Sequence, residues 1–399
     1  MRARAIRTSV AVSLGIAALG LGCAKRGAGS KEGGKGTPSS GAALLSGAGA
    51  PSSGAVAAPP GRLSTPTAFE LTASPRGATL IWAPLERAAG AVQKRELDPA
   101  GAVHANSEVA LASGVDGDIA DLTASWVGSR LGLAWLERKG PAARVRAAWA
   151  GASSAPFELG AAWSGPRLSR GNLVMAARGD KALVFARGSS AACIDPGKQQ
   201  NCFAFGFHEL EATRAVPTGL PMSVPVPCND NSTALAVVGQ RFHYGVCTES
   251  ASRPVTTLFS IQRDPEYARA DTLLEGCTPY GTFVWRSAAW LVAECEGGRR
   301  AARIGDDPQE FLDLHGLRLE CRSGQMRVRA PSLDLALEEP RSGLAPLLPP
   351  DVAPVGARAA WAGRALLVAT SFSDTLRLTR RTCNGDRLET ATLFPSGAQ

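Results

Sequence analysis

The chain has 399 residues and a formal net charge of +8, with four histidines and nine cysteines. The charge is unevenly distributed, since residues 1–62 contain eight basic residues and one acidic residue, which leaves about +1 for the rest. Residues 63–399 have no basic cluster along the sequence, and this excludes nucleic acid as the expected partner.

The first 23 residues have the pattern of a secretion signal. Three arginines among the first seven residues are followed by Val10–Leu21, an almost unbroken small and apolar run that is short for a bilayer span. The run ends at Cys23, preceded by Gly22. This ending resembles the lipobox of bacterial lipoproteins, and the resemblance implies that Cys23 becomes the lipidated N-terminus. By the same analogy Ala24 implies outer-membrane sorting. The alternative is an ordinary cleaved signal with an incidental cysteine.

Residues 24–62 form a flexible tether in our interpretation. The segment contains 10 Gly, 9 Ala, 6 Ser and 4 Pro and few large apolar side chains, so it cannot bury enough surface to offset the entropy of ordering. As a coil it reaches about 35 Å. Gly29–Gly36 approximates a phosphate-binding loop, but no strand precedes it and no helix follows, so we expect no nucleotide.

Residues 63–399 repeat one hairpin pattern, in which apolar residues follow a turn residue three and five positions later. The repeat recurs about every fifty residues and predicts an all-β propeller of about seven blades, with six or eight as alternatives. A pair of tandem β-sandwiches is the competing fold. One further unit is expected near Gly316 or Gly324. The turn positions are Gly77, Gly128, Gly179, Gly239, Ser287 and Gly363.

Eight cysteines follow Cys23, an even number that indicates disulfides in an oxidising compartment. Two pairs lie at matching positions around their hairpin turns, which predicts Cys228–Cys247 and Cys277–Cys295. Cys193–Cys202 would close a short loop, and Cys321–Cys383 remains by elimination.

The sequence contains no nucleophile elbow, no zinc-protease motif and no dinucleotide fingerprint. The histidines are scattered, at His104, His208, His243 and His315. Asp116, Asp118 and Asp121 faintly resemble a calcium loop but lack its distal glutamate, so a solvated turn is the simpler interpretation. We therefore expect no catalytic residues, no cofactor and no metal.

Three other segments give local expectations. Leu337–Gly356 contains five prolines and no strand pattern, so we expect an exposed connector between the last two blades, with a partner-binding segment as the alternative. Pro84–Leu97 and Asp307–Leu314 have a weak helical period, and a helical turn or two is expected in each.

Together these patterns predict a lipid-anchored β-propeller of the bacterial cell envelope. We expect a non-catalytic binding or scaffolding module whose partner is an envelope protein or glycan, facing either the periplasm or the exterior. The alternative, from another class, is a hydrolase or lyase acting on polysaccharide. A central cluster of carboxylates would favour that alternative.

Overall fold

The structure is a computed structural model that describes residues 66–84, 92–104, 109–112, 118–139, 142–151, 156–159, 173–189, 202–217, 222–225, 233–238, 241–250, 253–262, 267–305, 310–372 and 375–393. All of them belong to Ala58–Gln399, the second of two units into which the chain divides. The signal segment, Cys23 and the tether lie outside the described residues. No helix within the described ranges is long and apolar enough to cross a membrane.

The strands form seven antiparallel sheets that follow one another along the chain. Blade 1 consists of β1 (Pro66–Ser74), β2 (Gly77–Pro84), β3 (Val92–Leu97) and β4 (Val109–Ala112). Blade 2 consists of β5 (Asp118–Val127), β6 (Arg130–Lys139), β7 (Ala142–Trp149) and β8 (Phe157–Glu158). Blade 3 consists of β9 (Leu173–Arg178), β10 (Lys181–Ser189), β11 (Cys202–Leu210), β12 (Ala215–Pro217) and β13 (Met222–Pro225), the last two both paired with β11.

Blade 4 consists of β14 (Thr233–Val238), β15 (Arg241–Ser250), β16 (Arg253–Gln262) and β17 (Tyr267–Glu275). Blade 5 consists of β18 (Cys277–Trp285), β19 (Ala288–Cys295), β20 (Gly298–Arg303) and β21 (Phe311–Asp313). Sheet 6 has three strands, β22 (Arg318–Arg322), β23 (Gln325–Ala330) and β24 (Leu333–Ala336). Blade 7 consists of β25 (Arg358–Trp361), β26 (Leu366–Phe372), β27 (Thr375–Asn384) and β28 (Arg387–Thr392).

In all six complete blades the first and second strands pair as antiparallel neighbours around the predicted turn position, which confirms the hairpin repeat, although Gly239 itself lies outside the described residues. Gly128 and Gly179 both have φ of 58°, as a two-residue hairpin turn requires. Arg286 and Ser287 adopt the same conformation without glycine, at φ of 49° and 61°. In sheet 6 the hairpin turn is at Gly324, one of the two positions proposed.

The blades pack side by side around an axis, with β1 against β5, β5 against β9, β9 against β14, β14 against β18, and β25 against β1. Hydrophobic layers fill the spaces between neighbouring blades, and the buried tryptophans Trp135 and Trp290 belong to two of them. Each large side chain buried in this way contributes about 1.5–3 kcal/mol. The all-β propeller prediction is confirmed, with six complete blades and one three-stranded sheet, and the tandem sandwiches are wrong.

The proline-rich segment Leu337–Gly356, here called the strap, is not the exposed connector that its composition suggests. Leu344, Leu347 and Leu348 are fully buried, and residues 345–347 form a 3-10 helix. The strap runs beside β25, with a backbone hydrogen bond of 3.1 Å from Leu344 to Ala359, and its 3-10 helix also contacts β18. It therefore takes the innermost position that sheet 6 lacks, because its leucines fill the layer between blades 5 and 7.

Two of the predicted disulfides are present. Cys277–Cys295 joins directly opposite residues of β18 and β19, and Cys321–Cys383 joins sheet 6 to blade 7 across 62 residues. Cys247 is also disulfide-bonded. Its predicted partner Cys228, and Cys193 of the remaining pair, lie outside the described residues.

The two expected helical turns are wrong where the structure describes them, because β3 and β21 occupy Val92–Leu97 and Phe311–Asp313. Each of these strands pairs with a long neighbour in its blade, β3 with β2 and β21 with β20. The ladder therefore overrides a weak local helical preference.

Candidate functional site at the propeller axis

Four first strands bring ionisable side chains together at the axis of the propeller. They are Glu70 on β1, Asp121 on β5, Tyr280 on β18 and Arg358 on β25, and we call them the axial cluster. A first strand has a neighbour on one edge only, so alternate backbone N–H groups on its inner edge need another acceptor. This requirement explains how the two carboxylates are placed.

Glu70 forms an ion pair with Arg358, with 3.2 Å between Oε2 and Nε. The side chains are 15% and 27% exposed, so the pair faces a restricted space and not open solvent. The other oxygen, Oε1, accepts a 3.0 Å hydrogen bond from the backbone N–H of Leu71. Glu70 therefore satisfies the inner edge of its own strand and ties blade 1 to blade 7.

Asp121 acts in the same way one blade further on. Its Oδ1 accepts a 3.0 Å hydrogen bond from the N–H of Leu122, and its Oδ2 accepts one of 3.0 Å from the N–H of Leu173 at the start of β9. The residue is 2% exposed. Both carboxylate oxygens thus bind backbone amides, and the side chain connects blade 2 to blade 3.

Tyr280 reaches the cluster from an irregularity in β18, where the register shifts between Pro279 and Gly281. The Arg299 guanidinium lies 4.3 Å from the centroid of its ring. Arg299 is 6% exposed and donates from Nη1 to the carbonyls of Pro346 at 3.1 Å and Leu348 at 2.6 Å. One buried arginine therefore connects the strap to the aromatic member of the cluster.

Burial dominates the electrostatics of the cluster. It raises the pKa of Glu70, an effect that Arg358 opposes and the charge of Asp121 reinforces. Burial also raises the pKa of Tyr280, against the attraction of Arg299. Burial works against the charge of Arg358, but Glu70 and Asp121 outweigh it, so the pKa of this guanidinium is raised. The environment therefore disfavours the charged forms of Glu70 and Tyr280, whereas the charge of Arg358 is favoured by its acidic neighbours.

The contacts of the axial cluster hold strands together, and they leave few unoccupied hydrogen-bonding positions on its carboxylates for a reacting molecule. Glu70 and Asp121 each use both oxygens in the contacts described above. Among the described residues, no group of three or more His, Cys, Asp or Glu side chains is placed to hold a metal ion.

The predicted site residues lie apart from the axial cluster. The lipidation site Cys23 is outside the described residues, and the two described disulfides lie in blade 5 and between sheet 6 and blade 7. The histidines also remain separate, since His243 binds Ser260 at 2.8 Å within blade 4 while His315 contacts the Gly297 carbonyl at 2.9 Å. Asp121, considered above as part of a calcium-like loop, belongs instead to a buried strand.

Sequence reasoning missed Glu70, Tyr280 and Arg358 as cluster members. The available signal was a charged residue inside an otherwise apolar strand, as in Ala68–Leu71 (AFEL) and Ile119–Leu122 (IADL). A lone carboxylate in such a strand requires a partner, because an unpaired buried charge is costly.

No family model matches the sequence, and no curated protein matches it. Several solved structures resemble the chain at low identity. A puromycin-hydrolysing peptidase of Mycobacterium tuberculosis is 13% identical with a TM-score of 0.47, over 85% of this chain and 57% of that one. A Trypanosoma rangeli sialidase bound to the inhibitor DANA is 12% identical with a TM-score of 0.34, over 75% and 57%. A subtype N10 neuraminidase-like protein of a little yellow-shouldered bat isolate is 10% identical with a TM-score of 0.37, over 81% of this chain and 92% of that one. This chain thus spans little more than half the length of the first two.

Proposed function

We propose that this protein is a lipid-anchored, non-catalytic binding or scaffolding module of the bacterial cell envelope, attached at the outer membrane. The N-terminal pattern ending at Cys23 supports the anchor, and the tether supports a body held clear of the bilayer. The disulfides support an oxidising compartment. A propeller suits such a role because it is a rigid ring whose loops vary without changing the core.

One observation carries the non-catalytic part of the proposal. The two carboxylates of the axial cluster are engaged by backbone amides and by Arg358, at 3.0–3.2 Å. A general acid or base must instead be free to hydrogen-bond the reacting group. The cluster therefore supports the blades and leaves recognition to the surface.

A second candidate function is hydrolysis or lysis of a polysaccharide. It is favoured by the presence of two carboxylates at the axis and by the raised pKa of Glu70, a property that suits a general acid. In that case Glu70 would donate the proton and Asp121 would act as base or nucleophile, and both would have to leave their present hydrogen bonds.

The test uses the full chain expressed in a Gram-negative host. Wild type is expected in the membrane fraction, and Cys23→Ala is expected to be released or to keep its signal, with a shift in electrophoretic mobility. Unchanged membrane association and mobility would contradict the anchor. The same preparations are cross-linked in envelope extracts and assayed against polysaccharide, peptide and ester panels.

The paired variants Glu70→Gln and Asp121→Asn distinguish the two functions. If the protein is a binding module, wild type turns over none of the panels and a defined envelope partner is captured by wild type and by both variants. Turnover by wild type that disappears in either variant would establish the hydrolase or lyase.

A further inference from the structure

In each complete blade, the turn between the first and second strands has a basic residue of its own. It lies within the turn or directly after it in all six blades, and Asp180 is the one acidic residue among these turns. Because the first strands of a propeller run in the same direction, the six turns emerge on one face around the axis. The six basic residues are Arg76, Arg130, Lys181, Arg241, Arg286 and Arg364.

The strap supplies the seventh positive charge, in the position that sheet 6 would otherwise occupy. Arg341 pairs with Trp361 at the end of β25, and its Nη1 donates to the carbonyl of Val284 near the end of β18 at 3.3 Å. Both contacts place it on the turn face, between blades 5 and 7. We call these seven residues the turn ring.

Three side chains of the turn ring are not neutralised by the described residues of the body. Arg76, Arg286 and Arg364 are exposed, and none of them has a carboxylate within 4 Å among the described residues. Lys181 differs, since it pairs with Glu209 at 3.1 Å and Glu211 at 2.9 Å. The ring therefore keeps a net positive charge.

Two arginines of the ring are held in place by tryptophan. The guanidinium of Arg130 lies 3.8 Å from the centroid of a Trp149 ring, and that of Arg286 lies 4.2 Å from a Trp285 ring. Such stacking fixes a planar donor at low entropic cost, and a fixed guanidinium suits bidentate binding of a carboxylate. Six of the seven residues of the turn ring are arginines, and this also favours bidentate binding of carboxylates.

We propose that the turn ring binds an acidic, carboxylate-bearing polysaccharide. Positive charges distributed around the axis match a flexible polyanion that crosses the face. The proposal rests on the proposed function in one respect, since a position in the envelope makes a glycan, and not nucleic acid, the polyanion that the protein meets.

An anionic bilayer fits the turn ring less well. Carboxylates flank the ring, including Asp180 and Glu211 beside Lys181. These carboxylates would be repelled by a flat anionic surface, whereas a linear polymer can pass between them along the ring.

The test measures binding of the full chain, in non-ionic detergent, to polygalacturonate with neutral dextran as reference. The ring variant carries Arg76→Gln, Arg286→Gln and Arg364→Gln. The control variant carries Arg300→Gln, Arg318→Gln and Arg377→Gln, three exposed residues at or near the starts of β20, β22 and β27, away from the turn face. Both variants lose three positive charges, and in the control Arg318 also gives up its 3.5 Å ion pair with Glu320. Circular dichroism and the urea midpoint check that both fold.

Wild type is expected to bind polygalacturonate and not dextran, with affinity that falls as salt rises. The ring variant is expected to lose about tenfold or more in affinity and most of the salt dependence, while the control stays within about twofold. Equal effects of the two variants, or no binding by wild type, would overturn the proposal. So would ring-dependent binding to phosphatidylglycerol vesicles or duplex DNA without polysaccharide binding. If polygalacturonate does not bind, the membrane fractionation of Cys23→Ala still tests the anchor. If that fractionation contradicts the anchor, the binding measurement still tests the turn ring.

Discussion

Glu70 and Arg358 lie 288 residues apart in the chain, and their side chains meet at 3.2 Å where the last blade joins the first. Every complete blade is built from consecutive strands, so in the described residues no strand crosses this junction. The ring is closed there by side chains. Ser342 of the strap adds to the closure, because its hydroxyl lies 3.0 Å from that of Thr72 and accepts the N–H of Ala73 at 2.7 Å.

We expect Glu70→Ala to destabilise the folded body by about 2–4 kcal/mol, since it leaves Arg358 largely buried without its counter-ion. Glu70→Gln should cost less, because an amide oxygen can still accept from Leu71. The measurement is the urea midpoint of each full-length variant together with the Glu70→Ala/Arg358→Ala double mutant. If the double mutant loses as much stability as the two single variants together, coupling across the junction is contradicted.

The hairpins could be predicted from the sequence because their determinants are local. A turn residue with positive φ and apolar residues three and five positions later define a hairpin within ten residues, as at Gly128 and Gly179. Six such units at regular spacing indicate the propeller. The disulfide Cys277–Cys295 followed from the same spacing, since it joins the two strands of one hairpin.

The axial cluster and the turn ring could not be found in the same way. The members of the axial cluster lie on four different blades. Each basic residue of the turn ring adjoins a hairpin turn or the end of the strap, but these residues come together only because the fold places them on one face. The prediction of an exposed strap is wrong because it rests on the prolines, whereas the leucines of the strap are buried through contacts with blades 5 and 7. The body has no basic cluster along the sequence, yet the fold places one basic residue per blade on a single face.

The fit of the strap gives a second prediction. A Cβ at Gly281 would overlap Pro346, which belongs to the buried 3-10 helix and has little freedom to move. We expect Gly281→Ala to lower the free energy of unfolding by about 1–3 kcal/mol. Gly305→Ala is the matched control, because a Cβ there has nothing within 4 Å. Equal urea midpoints for the two variants would show that the strap moves to accommodate the added methyl group.

The disulfides give a third prediction. Loop-closure entropy predicts a loss of about 4 kcal/mol for the Cys321→Ala/Cys383→Ala variant and about 3 kcal/mol for Cys277→Ala/Cys295→Ala, because the first bond closes the longer loop. Thermal and urea unfolding of both variants give the order of the two losses. The opposite order would contradict the entropic account.

Non-reducing peptide mapping tests the two pairs that remain predictions. Cys228 is expected with Cys247, and Cys193 with Cys202. Recovery of Cys228 joined to Cys193 or Cys202, or of a free Cys228 thiol, would contradict the matched placement around the hairpin turns.

The last prediction concerns acid stability and rests on His208, which is 9% exposed on β11 within blade 3. Burial lowers the pKa of its imidazole from 6.5 to about 4. Between these pH values the unfolded chain binds a proton that the folded chain does not, so stability falls as the pH drops from about 6.5 to 4. The full loss is about 3 kcal/mol.

His208→Gln removes this titration while keeping a polar side chain of similar size. We expect the difference in unfolding free energy between wild type and His208→Gln to shrink or reverse as the pH falls from 7 to 4, measured in urea at half-unit steps. His104→Gln is the control for the same substitution at an exposed position. A constant difference between wild type and His208→Gln over this range would mean that the folded and unfolded chains bind this proton equally, and that the blade accommodates the charged imidazole.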